Sequence, residues 1–449
     1  MRKLLLAGIG ALALSGCVVA VTETARPALV AAMPMAPPLA QPPLQHGSII
    51  NDAPHGISQA RLAVLDRVMK QYVSDGKLAG AVLKIHQDGR EVFNGVYGWR
   101  DREAGAPMQE DTIFRIASQT KALTSTAIMM LMEEGKLVLD DPLGKFLPEW
   151  SKTTVAVANP KAKSGYDVVP AKRPITIRDL LSHTAGISYG TGPAEKAWKD
   201  AGVYGWYFAN KTVPVSEVVT KMAKLPMAAQ PGEQWVYGYN TDILGVVVEK
   251  LSGKSLDVFL KERVIDPIGM TDTTFCLPAD KASRLAVVYS AKDGKSERAP
   301  SPGGWQGTGH VGQGSYLGGP CKAFAGGAGL LSTARDYSRF LQMLLDGGVF
   351  EGKRYLSRKS VDLMSHDTLV TAVYQPGQGF GLGFRITKDP SLMGNLGSVG
   401  DFGWGGAYHS TYWVDPAQGL TVVYMTQLIP AGGLEDQAKI RALIYSAVE

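Results

Sequence analysis

The stretch Phe114-Arg-Ile-Ala-Ser118-Gln-Thr-Lys121-Ala-Leu-Thr-Ser-Thr-Ala-Ile-Met-Met-Leu-Met132 places a hydroxyl at the first turn of an apolar helix and an amine one turn later. Side chains three apart share a helix face, so Ser118 and Lys121 can reach one cleft together. The helix N-terminus adds partial positive charge and unpaired N–H groups where an oxyanion would form. Nucleophile, proton acceptor and anion site then come from one short segment, a pattern that reads as acyl transfer. Behind the pair, Ala122, Leu123, Ala127, Ile128, Leu131 and Met132 form a long face suited to burial. Burial disfavours the charged form of an amine, which is the direction a proton acceptor requires. Taken alone, the segment reads equally well as a helix capped by Ser118. The same spacing recurs at Ser74-Asp-Gly-Lys77, where Gly76 breaks the helix, and there it is a turn with a solvated lysine.

Upstream, residues 58–73 carry Leu62, Leu65, Val68, Met69 and Tyr72 at one-sided helical spacing. Two apolar strands follow at 79–86 and 91–99, joined by Gln87-Asp-Gly-Arg90, and Asp-Gly at that point is a hairpin signal. Downstream the chain turns helical and loop-rich. Thr176-Ile-Arg-Asp179 opens a capped helix, residues 215–224, 241–251 and 255–263 show helical periods, and Gly253 stops the second of these. A glycine-rich stretch, 302–330, leads into a helix that ends at Leu344-Leu-Asp-Gly-Gly348. Strands return at 380–386, 411–414 and 420–426, with Pro416-Ala-Gln-Gly419 turning between the last two, and a final helix spans 434–448. Hairpin plus helix at the start and strands plus helix at the end predict an α/β fold of α+β sandwich type. Its antiparallel sheet is built from both termini and flanked by helices. A mostly helical second lobe, 136–324, is inserted between 54–135 and 325–449, leaving a cleft between the lobes.

The start of the chain reads as a targeting segment. Arg2-Lys3 precede an apolar run too short to span a bilayer, and the run ends Leu14-Ser-Gly-Cys17. Cys17 after small residues looks like a bacterial lipobox, which implies a signal peptide over 1–17 and lipid attachment at Cys17. The protein would then be tethered to a membrane facing the periplasm; ordinary secretory cleavage a few residues later is the alternative. Residues 18–53, rich in Ala and Pro and without period, read as a linker to a domain at 54–449. A net charge of +5 over 449 residues, with no Lys/Arg run, gives no footprint for nucleic acid. The seven histidines show no metal-ligand spacing, and no motif calls for a cofactor. Cys276 and Cys321 fit a disulfide outside the cytoplasm and fit two free thiols equally well.

Two further segments carry chemistry. Pro231-Gly-Glu-Gln-Trp-Val-Tyr237-Gly-Tyr239-Asn240 sets a phenol between a Pro-Gly turn and a helix start, where it can reach a cleft and move a proton beside an ammonium. Phe402-Gly-Trp404-Gly405-Gly406-Ala407 lets substrate lie close to an edge strand, so that the N–H of Ala407 joins that of Ser118 around an oxyanion. Either segment alone is explained as well by packing.

Together these segments resemble the serine β-lactamase and penicillin-binding superfamily, nearest its class C-like branch and the family VIII carboxylesterases. The resemblance spans roughly 56–430 and includes Leu180-Leu-Ser-His-Thr-Ala-Gly186 and Gly326-Gly-Ala-Gly-Leu-Leu-Ser-Thr333. It implies a β-lactamase/transpeptidase-like fold, Ser118 as the acylated nucleophile, and Lys121 and Tyr237 as proton carriers. It also implies Trp404, Gly405 and Gly406 as the third box along the substrate. Two departures narrow the substrate. Tyr237-Gly-Tyr239 lacks the amide of the β-lactamase pattern, with Asn240 one place late, which makes Tyr239 a substrate contact and a minor rival phenol. Trp404 stands where a lysine would meet a substrate carboxylate, and an unmatched anion in such a cleft is unfavourable by about 1–3 kcal/mol. An ester hydrolase is therefore placed ahead of a β-lactamase or D-amino-acid-specific peptidase, and ahead of a cell-wall-binding lipoprotein that does not turn over. Gly186-Ile-Ser188-Tyr-Gly190 matches a lipase-type nucleophile elbow in letters only, because a short helix precedes it and a loop follows. Gly307-Thr-Gly-His-Val-Gly312 matches a dinucleotide fingerprint equally superficially, with no strand before it. His183 reads as structural, and His409 as a surface or cleft residue.

Overall fold

The structure is a computed structural model that describes residues 56–370 and 372–449. Cys17 and the linker at 18–53 lie outside the described residues. At its centre is an eight-stranded antiparallel sheet. Its strands are β1 (Gly80–Gln87), β2 (Arg90–Asp101), β3 (Ala106–Pro107), β4 (Gln378–Phe380), β5 (Arg385–Thr387), β6 (Phe402–Gly406), β7 (Ser410–Asp415) and β8 (Leu420–Thr426). Their order is β4-β5-β6-β7-β8-β1-β2-β3, so the first and last thirds of the chain meet where β8 pairs with β1, Ala81 opposite Thr426. The hairpin between β1 and β2 turns at Asp88 and Gly89, both at positive φ, as expected of Asp-Gly.

Alternation along the central strands sends side chains to two different cores. Leu83, Ile85 and Val422 meet Leu62, Leu65 and Met69 of helix α1 (Gln59–Ser74) and residues of the C-terminal helix. Val82, Val423 and Met425 face the opposite way, into the larger core. That core is shared with α2 (Thr120–Glu133), α3 (Asn240–Ser252) and α4 (Ala334–Leu345). The final helix, α5 (Asp436–Ala447), lies beside α1, with Ile440 and Ile444 fully buried. Helix α2 carries twelve consecutive buried residues, from Thr120 to Leu131, so it is enclosed all round rather than amphipathic. Among the described residues, no helix is long and apolar enough to cross a membrane.

One expectation needs correction. The strand expected at 380–386 is two short strands, β4 and β5, with a reversal between them. Gly381 and Gly383 sit in that reversal; a Cβ would lie 2.2 Å from Met364 O at the first and 2.4 Å from Ser125 Oγ at the second, where φ is +104°. Within residues 136–324, short β-hairpins accompany the helices, Thr154–Ala158 pairing Tyr166–Pro170 and Tyr289–Lys292 pairing Lys295–Arg298.

Cys276 and Cys321 form a disulfide with their Cα atoms 5.9 Å apart. The bond closes a 45-residue separation and ties down the glycine-rich stretch that delivers Gly326 and Gly327 to the site. Cross-linking a loop of that length stabilises a fold by about 2–4 kcal/mol. Cys276→Ser with Cys321→Ser is therefore expected to lower the melting temperature, and reductant should lower that of the native protein but not that of the variant.

Candidate active site

Ser118 sits in a single 3-10 turn (Ala117–Gln119) that runs directly into α2. The turn is pinned from outside: Ile116 N–H donates to Leu330 O, Leu330 N–H to Thr120 Oγ1, and the Tyr337 hydroxyl to Gln119 O. The residue before the nucleophile, Ala117, is held at φ 42°, a left-handed conformation that costs a residue with a Cβ of order 1 kcal/mol. That constraint aims Ser118 into the cleft.

Lys121, one turn on, is 2% exposed. Its Nζ lies 3.2 Å from Ser118 Oγ, donates to Gly327 O at 2.7 Å and to the Tyr189 hydroxyl at 3.1 Å, and sits 4.7 Å from the centre of the Tyr237 ring. Tyr237 lies across the cleft and accepts the indole N–H of Trp404 at 3.0 Å. Ser118, Tyr189, Tyr237, Trp404 and Ala407 line one cavity of about 750 Å³. The expected pair and the expected phenol are thus brought together.

Glycines allow this approach. A Cβ at Gly406 would fall 2.5 Å from Ile116 O, so β6 lies against the turn that carries Ser118 only because residue 406 has no side chain. Strand β5 covers only Phe402 and Gly403 of β6, leaving the edge from Trp404 to Ala407 open to the cavity. Gly326 and Gly327 thread between α2 and α3, where a Cβ would meet Thr241 O at 2.6 Å and Asp242 Oδ2 at 2.5 Å. The Gly-Gly pair of the 326–333 segment is required by this crossing.

Burial and charge set the electrostatics. Burial pushes the Tyr189 phenol well above its ordinary value, with Tyr237 and Asp242 adding to the shift. Asp242, on the first turn of α3, stands at about 6, raised by burial against the opposing pull of Lys121; its Oδ1 accepts the N–H of Gly327 at 2.9 Å. His183 is held well below its ordinary value, by burial first and then by the charge of Lys121. A neutral imidazole results, whose Nδ1 is 2.9 Å from the Asn240 amide.

Tyr239 is not a substrate contact. It is 1% exposed, its hydroxyl donates to Gly205 O at 2.8 Å, and its ring stacks on Trp198. Asn240 likewise points inward, with its amide on His183, Ile187 O and Val236 O. Ser188 is buried and donates to Thr191 O at 2.7 Å. His409 lines the cavity and pairs with buried Asp436 at 2.6 Å. Sequence reasoning missed Tyr189 and Asp242. Tyr189 lies within Gly186–Gly190, a segment whose serine is the more conspicuous candidate. Asp242 resembles any acid at the start of a helix. No group of three or more His, Cys, Asp or Glu among the described residues could hold a metal.

The chain as a whole is similar to known proteins. The β-lactamase family model matches residues 65–445. Esterase EstB of Burkholderia gladioli is 30% identical over 373 residues, covering 81% of this chain and 90% of its own. Lovastatin esterase of Penicillium rubens is 30% identical over 395 residues, covering 82% and 94%. Among solved structures, "EstCE1, a hydrolase with promiscuous acyltransferase activity" superposes with a TM-score of 0.74 at 26% identity, covering 86% of this chain and 99% of its own. The chain belongs to the β-lactamase family. It is a serine hydrolase of that family with esterases among its relatives.

Proposed function

We propose that the protein hydrolyses neutral carboxylic esters through an acyl-Ser118 intermediate. Ser118 Oγ attacks the ester carbonyl as its proton passes to Lys121, 3.2 Å away. The N–H groups of Ser118 and Ala407 take up the oxyanion. When the carbon–oxygen bond to the alcohol breaks, the leaving oxygen takes a proton from the Lys121–Tyr237 pair. Water then attacks the acyl carbon, giving its proton to the same pair. The C–Oγ bond breaks, Oγ is reprotonated and the acid departs.

The single observation that carries this reading is the bond from Trp404 Nε1 to Tyr237 Oη. An indole N–H can only donate, so it orients the phenol with its oxygen as acceptor and leaves the phenol proton free for the cleft. The same indole fills the third-box position with a neutral, apolar surface. The aromatic rings of Tyr189, Trp206, Tyr374 and Trp404 around the cavity suit an uncharged acyl or alcohol group. EstB and lovastatin esterase are named as esterases, in line with this choice.

Rates on p-nitrophenyl butyrate, nitrocefin and a D-Ala-D-Ala peptide, measured side by side, test it. The ester should lead in kcat/KM by at least about a hundredfold, roughly 2.7 kcal/mol of transition-state preference. Nitrocefin or the peptide in the lead would overturn the reading in favour of a β-lactamase or peptidase. A stable acyl adduct without product would show a binder that does not turn over.

A further inference from the structure

We propose that Asp242 is the positioning carboxylate of Lys121, acting through Gly327 to hold the amine on Ser118 and to balance the charge it gains during acylation. This role rests on the acyl-Ser118 reading above.

Gly327 is gripped from both sides. Its N–H donates to Asp242 Oδ1 at 2.9 Å, and its carbonyl accepts from Lys121 Nζ at 2.7 Å. One residue therefore connects a fully buried acid to the amine, and a Cβ there would strike Asp242 Oδ2 at 2.5 Å. The hydrogen-bond partners of Lys121 Nζ, namely Ser118 Oγ, Tyr189 Oη and Gly327 O, are all neutral. When the Ser118 proton reaches Nζ as Oγ bonds to carbon, an ammonium forms with no carboxylate in direct contact. Asp242 supplies the missing negative charge, and no bond to Asp242 is made or broken. The groups that bear on Asp242 are few. Lys121 faces it from α2, the Gly327 N–H from the glycine-rich stretch, and the Tyr189 and Tyr239 phenols from their loops.

Burial holds the folded pKa of Asp242, at about 6, above its ordinary carboxylate value. A raised carboxyl binds its proton more tightly in the folded state, so stability is lost as pH rises from the ordinary carboxylate range through about 6. Above that pH the enzyme keeps a charge that weakens the fold.

Asp242→Asn removes the charge and keeps an acceptor for Gly327. Near pH 8 it is expected to lower kcat on p-nitrophenyl butyrate by about tenfold or more, with KM within about twofold and a melting temperature no lower than the wild type's. The ratio of wild-type to variant kcat should shrink toward one near pH 5, because the wild-type Asp242 is then protonated too. A variant kcat within about twofold near pH 8, or a ratio constant across the range, would overturn the proposal. If the variant does not fold, the wild type still decides. Its acylation burst must slow below about pH 6, and a burst rate flat from about pH 5 to 8 excludes the role. Ser118→Ala separates the two claims. Turnover persisting in it removes the acyl-enzyme reading itself, whereas a dead Ser118→Ala beside an unimpaired Asp242→Asn removes only the role of Asp242.

Discussion

Ser118→Ala is expected to lower kcat/KM on p-nitrophenyl butyrate by about 10⁴-fold or more and to abolish the acylation burst, since loss of a nucleophile removes the covalent route outright. The fold should hardly notice. The hydroxyl lies at the cavity wall, and Lys121 keeps Gly327 O and the Tyr189 hydroxyl when Oγ is gone. A melting temperature within a few degrees of wild type, paired with the loss of turnover, is the result that assigns the effect to chemistry. Steady-state hydrolysis and a thermal melt on the same preparation check it. Activity retained at a tenth of wild type or better would mean that another group attacks the ester.

Lys121→Met should cost nearly as much, about 10³–10⁴-fold in kcat, because a positioned general base contributes on that order and the methionine keeps only the stem. It also carries a stability signature that Ser118→Ala lacks. The charge of Lys121 draws Asp242 downward, so without it the buried carboxyl rises further above its ordinary value. The sign follows from the raised folded value: the variant should lose stability as pH rises through 6 and beyond. The deficit relative to wild type near pH 8 should be on the order of 1–3 kcal/mol, shrinking near pH 5. Chemical denaturation at the two pH values measures it. A deficit equal at both would show that Asp242 does not feel the lysine.

Much of the site was legible because its signals are local. The Ser118–Lys121 spacing needs only helical periodicity, the β1–β2 turn needs only Asp-Gly, and the Tyr237 segment announces itself by a Pro-Gly turn before a helix. Features that depend on tertiary context were harder to read. Phe402–Gly406 is a full strand of the sheet although three of its five residues are glycine, because the close approach to Ile116 outweighs strand propensity. The single strand expected at 380–386 is not formed: its apolar content fits a strand, but the chain reverses at Gly381–Gly383, where the backbone lies against Met364 and Ser125. Asp242 sits in the first turn of a helix, where acids are common for dipole reasons alone, so nothing in the sequence separates it from its solvated equivalents. The sequence leaves the link between Cys276 and Cys321 open because no sequence rule brings two distant thiols within reach.

The seam between β1 and β8 has a consequence for biogenesis. The Thr426 hydroxyl reaches the carbonyl of Gly80 across 346 residues of chain, and the Gly56 carbonyl receives the N–H of Glu449. A ribosome can finish α2, with its nucleophile and base, long before the strand that completes the sheet beside it exists. Closing so long a loop is entropically slow and rewards nothing until the end. The nascent polypeptide should therefore stay protease-sensitive and inactive until β8 has been made and paired with β1.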